Sequence, residues 1–248
     1  MRRIALTIEY DGTDFLGWQL QARGRTVQGE VEEAVRRATD ASERVVVHGS
    51  GRTDTGVHAA GQVAHFDTES DLSPATLTRA VNHWLPADVG VLEAREVSDS
   101  FHARFSVVSK LYRYRLLCSE VPRPLRRRAV YRVYEPLDYG RMRACARRLL
   151  GVHDFAAFTS AGSSVESTVR RMLRSEWQEV GEELQYFVEA DGFTYNLVRA
   201  LVGTMIQAGR GKIPVREFEE ILRSRDRAEA GPTAEACGLT LMRVRYAG

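Results

Sequence analysis

A charged motif set among glycines is the part of this sequence best suited to chemistry. Residues 49–60 read GSGRTDTGVHAA and place Arg52, Asp54 and His58 among three glycines and two threonines. Turn residues of this kind present side chains instead of burying them. A carboxylate beside an arginine on such a turn fits either a catalytic site or an ordinary salt-bridged loop. Asp54 is therefore the first candidate, and other stretches must decide its role.

A single arginine interrupts an otherwise apolar segment late in the chain. Residues 195–207 read YNLVRALVGTMIQ, and Arg199 is the only charged residue among them, so the pattern predicts a buried helix. A buried guanidinium needs a carboxylate or several carbonyl oxygens, because leaving it uncompensated costs about 3–5 kcal/mol. Asp54 is a good candidate partner, and the pairing would keep it ionised, as a nucleophile requires. A purely structural ion pair and an arginine extending to solvent both stay open.

A third stretch alternates aromatic and cationic side chains. Residues 101–114 read FHARFSVVSKLYRY, with His102 and Arg104 between two phenylalanines and with Tyr112 and Tyr114 on one face of a strand. Such a surface suits a nucleobase that has been pulled from its stack and held against a ring. A tyrosine row is also ordinary sheet core. Both interpretations of Tyr112 remain open from this segment alone.

The charge of the chain is uneven although its total is small. The formal net charge is +2 over 248 residues, but residues 122–148 contain nine arginines against Glu135 and Asp138. Guanidinium groups bind phosphates in a bidentate manner, so this segment is a candidate RNA-contacting surface. The N-terminus lacks the apolar segment of a signal peptide and no apolar run reaches membrane-spanning length, so we expect a cytoplasmic protein that does not enter a membrane.

Three other classes of protein fit the sequence less well. Cys118, Cys145 and Cys237 form no CxxC pair, and His58 and His65 have no recognised ligand spacing, so we expect neither a disulfide framework nor a metal-dependent hydrolase. A glycosidase would need a second carboxylate about 5–10 Å from the first, and the motifs supply none. A purely RNA-binding protein would have no need for an aspartate held ionised by a buried arginine.

The order of predicted elements indicates two related halves. Period-2 and period-3.6 patterns predict an α+β fold with two similar halves, 1–105 and 106–248, whose antiparallel sheets join around a central cleft with helices on the outer faces. In the first half they predict a strand at 45–47 and an inward-facing Trp84, while Trp18 could anchor the core or lie on RNA. The predicted strands are 3–10, 45–47, 62–66, 89–97, 110–117, 130–134, 170–180, 184–190 and 239–246, and the predicted helices follow Thr26, Ser73 and Pro214 and cover 139–149 and 193–208.

Together the three stretches resemble the bacterial tRNA pseudouridine synthase A family. GRTDTGVHA at 51–59, FHARFS at 101–106 with the following LYRY, and FTYNLVRALVG at 193–203 match its three blocks in order. The resemblance extends from IEYDG near the start to GLTLMRVRY at the end. Two positions depart from the common pattern, since Leu197 stands where methionine is frequent and Thr55 where alanine is frequent, and neither change removes a reacting group.

The resemblance implies a role for each candidate residue. It implies that Asp54 is the nucleophile, Tyr112 contacts the target base, Arg199 pairs with the aspartate, and Arg52 contacts RNA beside it. It further implies isomerisation of uridine to pseudouridine in the tRNA anticodon arm, at positions 38, 39 and 40, by a homodimer that needs neither metal nor cofactor. Whether Asp54 attacks C1′, attacks C6 of the base, or promotes a glycal intermediate stays open.

Overall fold

The computed structural model describes residues 1–162 and 166–247, which contain ten strands and five α-helices. The mixed content confirms the predicted α+β class. In chain order the elements are β1 (Arg2–Tyr10), α1 (Val27–Ala38), β2 (His48–Gly49), β3 (His58–Thr68), α2 (Pro74–Trp84), β4 (Val89–Val97), β5 (Val107–Cys118), β6 (Tyr131–Val133), α3 (Tyr139–Arg147), β7 (Gly151–Asp154), β8 (Val169–Val180), β9 (Glu183–Ala190), α4 (Leu197–Gly209), α5 (Val215–Ser224) and β10 (Leu239–Tyr246). Short 3-10 turns lie at Gly12–Asp14, Pro124–Arg126, Ala156–Phe158 and Ala236–Gly238.

The chain forms two compact units. The first contains residues 1–108 together with the chain from Thr240 onward, and the second contains Ser109–Leu239. The sequence-based division into 1–105 and 106–248 therefore differs in the last strand, which belongs to the first unit. Strand alternation predicts that β10 exists, but its neighbour depends on pairing between residues far apart in sequence, which a local pattern does not contain.

The first unit is built on four strands in the order β4-β1-β3-β10. Strand β1 pairs antiparallel with both β3 and β4, while β10 runs parallel to β3. The apolar alternation of β1 places Ile4, Leu6, Ile8 and Tyr10 in the core, each at most 3% exposed. Helices α1 and α2 pack against each other and α2 packs on β4. Their N-terminal caps are the predicted Thr26 and Ser73.

The second unit has a sheet in the order β5-β9-β8-β7, with the short β6 parallel to β5. Strands β5, β9, β8 and β7 pair antiparallel in that sequence. Tyr114 lies opposite Tyr186 in the ladder, and both side chains are fully buried. Helix α3 packs on β8 and on α4, so the apolar faces of these elements form one core.

The predicted strand at 45–47 is wrong. Val46 is exposed, and the backbone of Val47 bonds side chains of α1 instead of a neighbouring strand. The N–H of Val47 donates to the Glu32 carboxylate at 3.0 Å, and its carbonyl accepts from the Gln28 side-chain amide at 3.2 Å. A β-branched run predicts extended backbone, which is not sufficient for a sheet ladder when helix side chains satisfy the polar groups.

The degree of burial of two tryptophans in the first unit settles one open alternative and corrects one prediction. Trp18 and Phe15 are 2% and 1% exposed, so the core alternative holds for Trp18. Its indole lies against Gly49, where a Cβ would come within 2.5 Å of the indole nitrogen. Trp84, predicted to face inward, is 46% exposed and lies under the Arg37 guanidinium at 5.1 Å. Trp84 is the last residue of α2, and at this end of the helix the apolar face extends beyond the core into solvent.

Helix α4 begins four residues later than predicted. Asn196 adopts a left-handed conformation with φ of 61°, which interrupts helical geometry just before Leu197. The N–H of Leu197 bonds the carbonyl of Thr194 at 3.2 Å, so residues 194–197 form a turn. Asparagine is one of the few non-glycine residues that tolerate this backbone region. The predicted burial of the helix itself is confirmed.

Candidate active site

Asp54 lies in a loop between β2 and β3 whose backbone is bonded on both sides. The carbonyl of Thr53 accepts the N–H of Trp18 at 3.1 Å, and the carbonyl of Asp54 accepts the N–H of Val57 at 3.1 Å. The Asp54 side chain is half-buried, whereas Arg52 two residues earlier is exposed. The loop thus holds the carboxylate on a tight turn and leaves the arginine at the surface.

Glycines allow a second loop to lie directly beneath this one. Gly17 has φ of 90°, and a Cβ there would come within 2.5 Å of the Thr53 carbonyl oxygen. A Cβ on Gly12 would come within 2.0 Å of the Val57 carbonyl oxygen. No larger residue fits either contact without moving backbone. The close contacts made by the segment 12–17 therefore fix the position of residues 53–57.

Buried hydrogen bonds fix the beginning of the Asp54 loop from below. The hydroxyls of Tyr10 and Thr53 are 2.8 Å apart. The Ser50 hydroxyl donates to the Gln62 side-chain oxygen at 2.6 Å, and the Gln62 amide nitrogen donates to the carbonyl of Gly51 at 3.0 Å. Burial raises the pKa of Tyr10 well above its ordinary value, so its hydroxyl stays protonated and available for this bond. Strands β1 and β3 thereby position the loop through side chains.

Arg52 is oriented by a relay of amide side chains. Its Nε donates to the Gln19 side-chain oxygen at 3.2 Å, and the Gln19 amide nitrogen donates to the Gln28 oxygen at 2.8 Å. Gln28 lies in the first turn of α1 and is 6% exposed. The exposed guanidinium is thus directed by a buried anchor, which is suitable geometry for contacting a phosphate.

The two histidines of this region serve structure. His58 begins β3, and its Nδ1 accepts the N–H of Gly12 at 3.1 Å. His65 is 2% exposed, and its Nδ1 accepts the N–H of Ala103 at 3.2 Å. Burial is the main cause that lowers the pKa of His65 to about 4, followed by the neighbouring His102, His48 and Arg3, so His65 is neutral at neutral pH. Both residues thus make a structural hydrogen bond through Nδ1, in agreement with the role the sequence suggested, while the Nε2 of His58 is buried without a hydrogen-bond partner among the described residues.

Tyr112 lies on β5 opposite Val188, and its side chain is 7% exposed. The Phe193 ring meets it edge-on with centroids 4.9 Å apart and an interplanar angle of 78°. This contact fixes the plane of the phenol ring through aromatic packing. The tyrosine is thus a well-ordered group of the second unit, and Phe193 is a supporting residue that the sequence analysis did not single out.

Arg199 lies in the first turn of α4 and is half-buried. Its Nε donates to the carbonyl of Ala234 at 2.8 Å, and its Nη1 donates to the Asn196 side-chain oxygen at 2.9 Å. The amide nitrogen of Asn196 donates in turn to the Ser160 hydroxyl at 3.1 Å. The need for oxygen partners inferred from the sequence is met in part by a carbonyl and an amide, while the pairing with Asp54 stays a prediction.

Close backbone packing brings the Ala234 carbonyl to Arg199. A Cβ on Gly203 would come within 1.7 Å of the Pro232 carbonyl oxygen, and one on Gly231 would come within 2.8 Å of the Thr204 Cα. The N–H of Gly231 also donates to the Thr204 hydroxyl at 2.9 Å. The two glycines let the segment 231–234 lie directly on α4. The Ala234 carbonyl of this segment therefore reaches the Arg199 side chain and fixes its position.

The structure places the sequence-predicted residues in two groups. Arg52 and Asp54 share one loop of the first unit, and Tyr112 and Arg199 belong to the second. Sequence reasoning missed Tyr10, Gln62 and Asn196, which orient these groups. The one available signal was Gln62, a polar residue amid the apolar run of β3.

Two further observations concern ligands and membranes. Within residues 1–162 and 166–247 no group of three or more His, Cys, Asp or Glu side chains is arranged to hold a metal ion. The three cysteines are free thiols. Across the same described residues, every helix is too short or too polar to cross a membrane.

Comparison with known proteins defines the family. The family model described as tRNA pseudouridine synthase matches residues 6–106 and 145–247. The chain therefore belongs to the tRNA pseudouridine synthase family, whose members are RNA uridine isomerases. Asp54 and Arg199 lie inside the matched segments, and Tyr112 lies between them. The resemblance inferred from three short blocks is confirmed over most of the chain.

Several relatives are similar over nearly their whole length. The tRNA pseudouridine synthase A 2 of Clostridium perfringens is 42% identical over 246 residues, which cover 99% of this chain and 100% of that protein. The tRNA pseudouridine synthase A of Halalkalibacterium halodurans is 45% identical over 240 residues, covering 96% and 90%. That of Chloroflexus aurantiacus is 45% identical over 253 residues, covering 99% and 89%.

Proposed function

We propose that this protein isomerises uridine to pseudouridine in the anticodon arm of tRNA, at positions 38, 39 and 40, with Asp54 as the nucleophile. The observation that carries the proposal is the way Asp54 is held. A half-buried carboxylate stands on a turn anchored by Trp18 and Val57, within the sequence block that matches the family. Rigid presentation of one carboxylate is what attack on a single bound nucleotide requires.

The reaction explains the residue types. The N1–C1′ bond of uridine breaks, the uracil turns, C5 bonds to C1′, and the proton lost from C5 is balanced by one gained at N1, so nothing else is consumed. This requires an ionised nucleophile and a pocket that retains the detached base. Asp54 supplies the carboxylate, whether it acts at C1′, at C6 or through a glycal intermediate, and no metal or cofactor enters the scheme.

Three other side chains are proposed to bind the substrate. Tyr112 holds the target uracil against its ring, and the packing of Phe193 on the phenol supports a positioning role. Arg199 keeps Asp54 ionised and orients it. Arg52 binds a phosphate beside the flipped nucleotide, which offsets part of the few kcal/mol that flipping costs. The exposed position of Arg52 and the anchored position of Arg199 support these roles.

The arginine-rich loop after β5 is proposed to contact the tRNA. Four arginines, 123, 126, 127 and 132, line a cavity of about 250 Å³ there. Two of them pair with the exposed Glu182 at 2.7 and 2.9 Å, and exposed pairs of this kind exchange readily for phosphate. Arg127→Gln should lower the slope of log Kd against log salt by about 1, while Arg223→Gln on α5 should leave it unchanged. Equal slopes in both variants would contradict this contact.

The oligomeric state and the cellular location complete the proposal. We propose a homodimer that acts in the cytoplasm, where unmodified tRNA is available. Sedimentation of the purified chain tests the first part, and a monomer at micromolar concentration would contradict it.

The decisive experiment measures release of tritium from tRNA labelled at uracil C5, in the presence of EDTA. Wild type should release tritium, and Asp54→Asn should release none above background while still binding tRNA. Asp40→Asn is the matched control, because Asp40 lies on an exposed turn with φ of 51° that asparagine tolerates. Activity in Asp54→Asn would contradict the proposed role of Asp54 as the nucleophile. Loss of wild-type activity on chelation would contradict the metal-free scheme.

A further inference from the structure

The FHARFS block forms a turn that its own hydrogen bonds make rigid. The N–H of Ser106 donates to the carbonyl of His102 at 3.0 Å, and the N–H of His102 donates to the Ser106 hydroxyl at 3.1 Å. The His102 Nδ1 accepts the N–H groups of Arg104 and Phe105 at 3.1 and 3.4 Å. Ala103, at the base of this turn, is fully buried, and its carbonyl accepts the Tyr246 hydroxyl at 2.8 Å.

This rigid turn presents one aromatic side chain to solvent. Phe105 is 75% exposed. The Arg104 guanidinium carbon lies 5.6 Å from the centre of its ring, so a cation accompanies the exposed aromatic face. A ring with this exposure buries little apolar surface in the isolated chain, and its presentation on a turn rich in hydrogen bonds points to a binding role.

The exposed ring is supported from within by other rings. His102 lies 4.4 Å from Phe105 between centroids, and His65 lies 4.6 Å from His102. Burial and neighbouring cations lower the pKa of both histidines, so the supporting rings are uncharged at neutral pH. The result is a continuous aromatic support beneath Phe105, from the buried His65 outward.

We infer that the Phe105 ring is a stacking platform for an unpaired base of the RNA substrate, with Arg104 on an adjacent phosphate. This inference rests on the proposed function only for the identity of the RNA. It adds a contact distinct from Asp54, Tyr112, Arg52 and Arg199. A flat aromatic face with a neighbouring guanidinium matches the two surfaces that every nucleotide offers, its base and its phosphate.

The surroundings of Phe105 favour a nucleobase over an apolar protein partner. The side chains next to it along the turn are Arg104, Ser106 and the half-exposed His102, all polar. A protein interface needs a contiguous apolar centre, whereas the residues that flank Phe105 in the turn are polar and the exposed Val108 lies beyond them on β5. Base stacking needs only one ring, and it contributes comparably for any of the four bases.

The test compares binding of an unmodified tRNA transcript by wild type and by Phe105→Ala. The variant should raise Kd by about 5- to 100-fold with the salt slope unchanged, because stacking releases no counterions. Phe105→Trp should restore wild-type Kd. Arg104→Gln should instead lower the salt slope by about 1, as expected for a lost phosphate contact. Trp84→Ala is the matched control, since Trp84 is another exposed aromatic beneath an arginine.

Several outcomes would overturn the inference. A wild-type Kd for Phe105→Ala, an equal loss in Trp84→Ala, or a change of oligomeric state caused by Phe105→Ala would each do so, the last by identifying a protein contact. Tritium release at saturating tRNA separates this result from the proposed function. An inactive wild type would refute the proposed reaction while leaving the binding comparison valid.

Discussion

The Asp54 loop and the start of helix α4 both fix one charged side chain, and they do so by different means. The loop is held by long-range side-chain hydrogen bonds, from Tyr10 on β1 and Gln62 on β3. Arg199 is held by Asn196, three residues before it, and by a carbonyl of a segment packed closely on the helix. The polar partners of the loop come from other strands, whereas Arg199 has one partner at the start of its own helix and one on a segment that Gly203 and Gly231 allow to lie close.

The difference follows from the local backbone. An irregular loop leaves N–H and C=O groups unpaired, so surrounding side chains must satisfy them, and in doing so they fix its position. A helix satisfies its own backbone, and its position is fixed by how closely other segments approach. We therefore expect the loss of a polar partner to have its larger effect at the Asp54 loop, and added side-chain volume to have its larger effect at the Arg199 helix.

The largest effect on stability is expected from Gly203→Ala. Its Cβ would meet the Pro232 carbonyl oxygen at 1.7 Å within a buried helix, which should lower the free energy of unfolding by about 3 kcal/mol or more. Gly12→Ala, whose Cβ would meet the Val57 carbonyl oxygen at 2.0 Å, should cost about 1–2 kcal/mol because a loop can shift.

Urea unfolding measures both glycine variants. Gly90→Ala is the control, since its Cβ would meet nothing within 4 Å. We expect its free energy of unfolding to stay within about 1 kcal/mol of wild type. Equal losses at Gly12 and Gly203 would break the distinction between loop and helix.

Acid should lower the free energy of unfolding of the unit that carries the Asp54 loop. The residue responsible is His65 on β3. Its pKa in the folded chain is about 4, below the ordinary 6.5, so between these values the unfolded chain binds a proton that the folded chain does not. The stabilising contribution is complete above pH 6.5 and is lost as the pH falls towards 4. Between pH 6.5 and 5 the loss should be about 1.5–2 kcal/mol.

Urea unfolding at the two pH values tests this prediction with His65→Gln. The variant should show a smaller loss than wild type over the same interval. The same change at His83, an exposed residue of α2, is the control. An unchanged pH dependence in His65→Gln would exclude this residue as the source.

Two buried tyrosines allow the positioning effect of a polar partner to be separated from its effect on stability. Tyr10 and Tyr186 are both buried, and their hydroxyls lie 2.8 Å from Thr53 and 2.7 Å from Ser175, respectively. Replacing either by phenylalanine should cost about 1 kcal/mol of stability. Only Tyr10→Phe should also lower kcat, by about tenfold with KM unchanged, because it loosens the loop that carries Asp54.

Steady-state tritium release, measured well below the melting temperature of both variants, tests the tyrosine pair. If Tyr186→Phe lowered kcat as much as Tyr10→Phe, the effect would reflect general loss of stability and not positioning. Restoration of the Tyr10→Phe rate by a second change that merely stabilises the protein would lead to the same conclusion.

The smallest effects are expected at Asn196. Asn196→Gly keeps the left-handed backbone of 61° but removes the bond to Arg199, so it should lower kcat by a few-fold with little change in stability. Asn196→Ala should show the same loss of rate and cost about 1 kcal/mol more in stability, from backbone strain. Identical stabilities for the two variants would show that backbone conformation contributes nothing to this anchor.

Sequence patterns predicted the elements well where one local signal sufficed. The alternation in β1, the caps at Thr26 and Ser73, and the extent of β4 and β10 all agree with the structure. They failed at Val47, whose backbone bonds Glu32 and not a strand, because local β propensity does not reveal a partner fifteen residues away.

For the site, the sequence by itself determined the family and the candidate reacting groups, because the three blocks carry rare combinations of residues whose chemistry is intrinsic to their types. Only the tertiary structure decided that Trp18 is buried beneath Gly49, that Tyr10 and Gln62 hold the Asp54 loop, and that the Phe105 ring is 75% exposed. Burial and hydrogen-bond partners are relations between residues distant along the chain, so folding is what creates them.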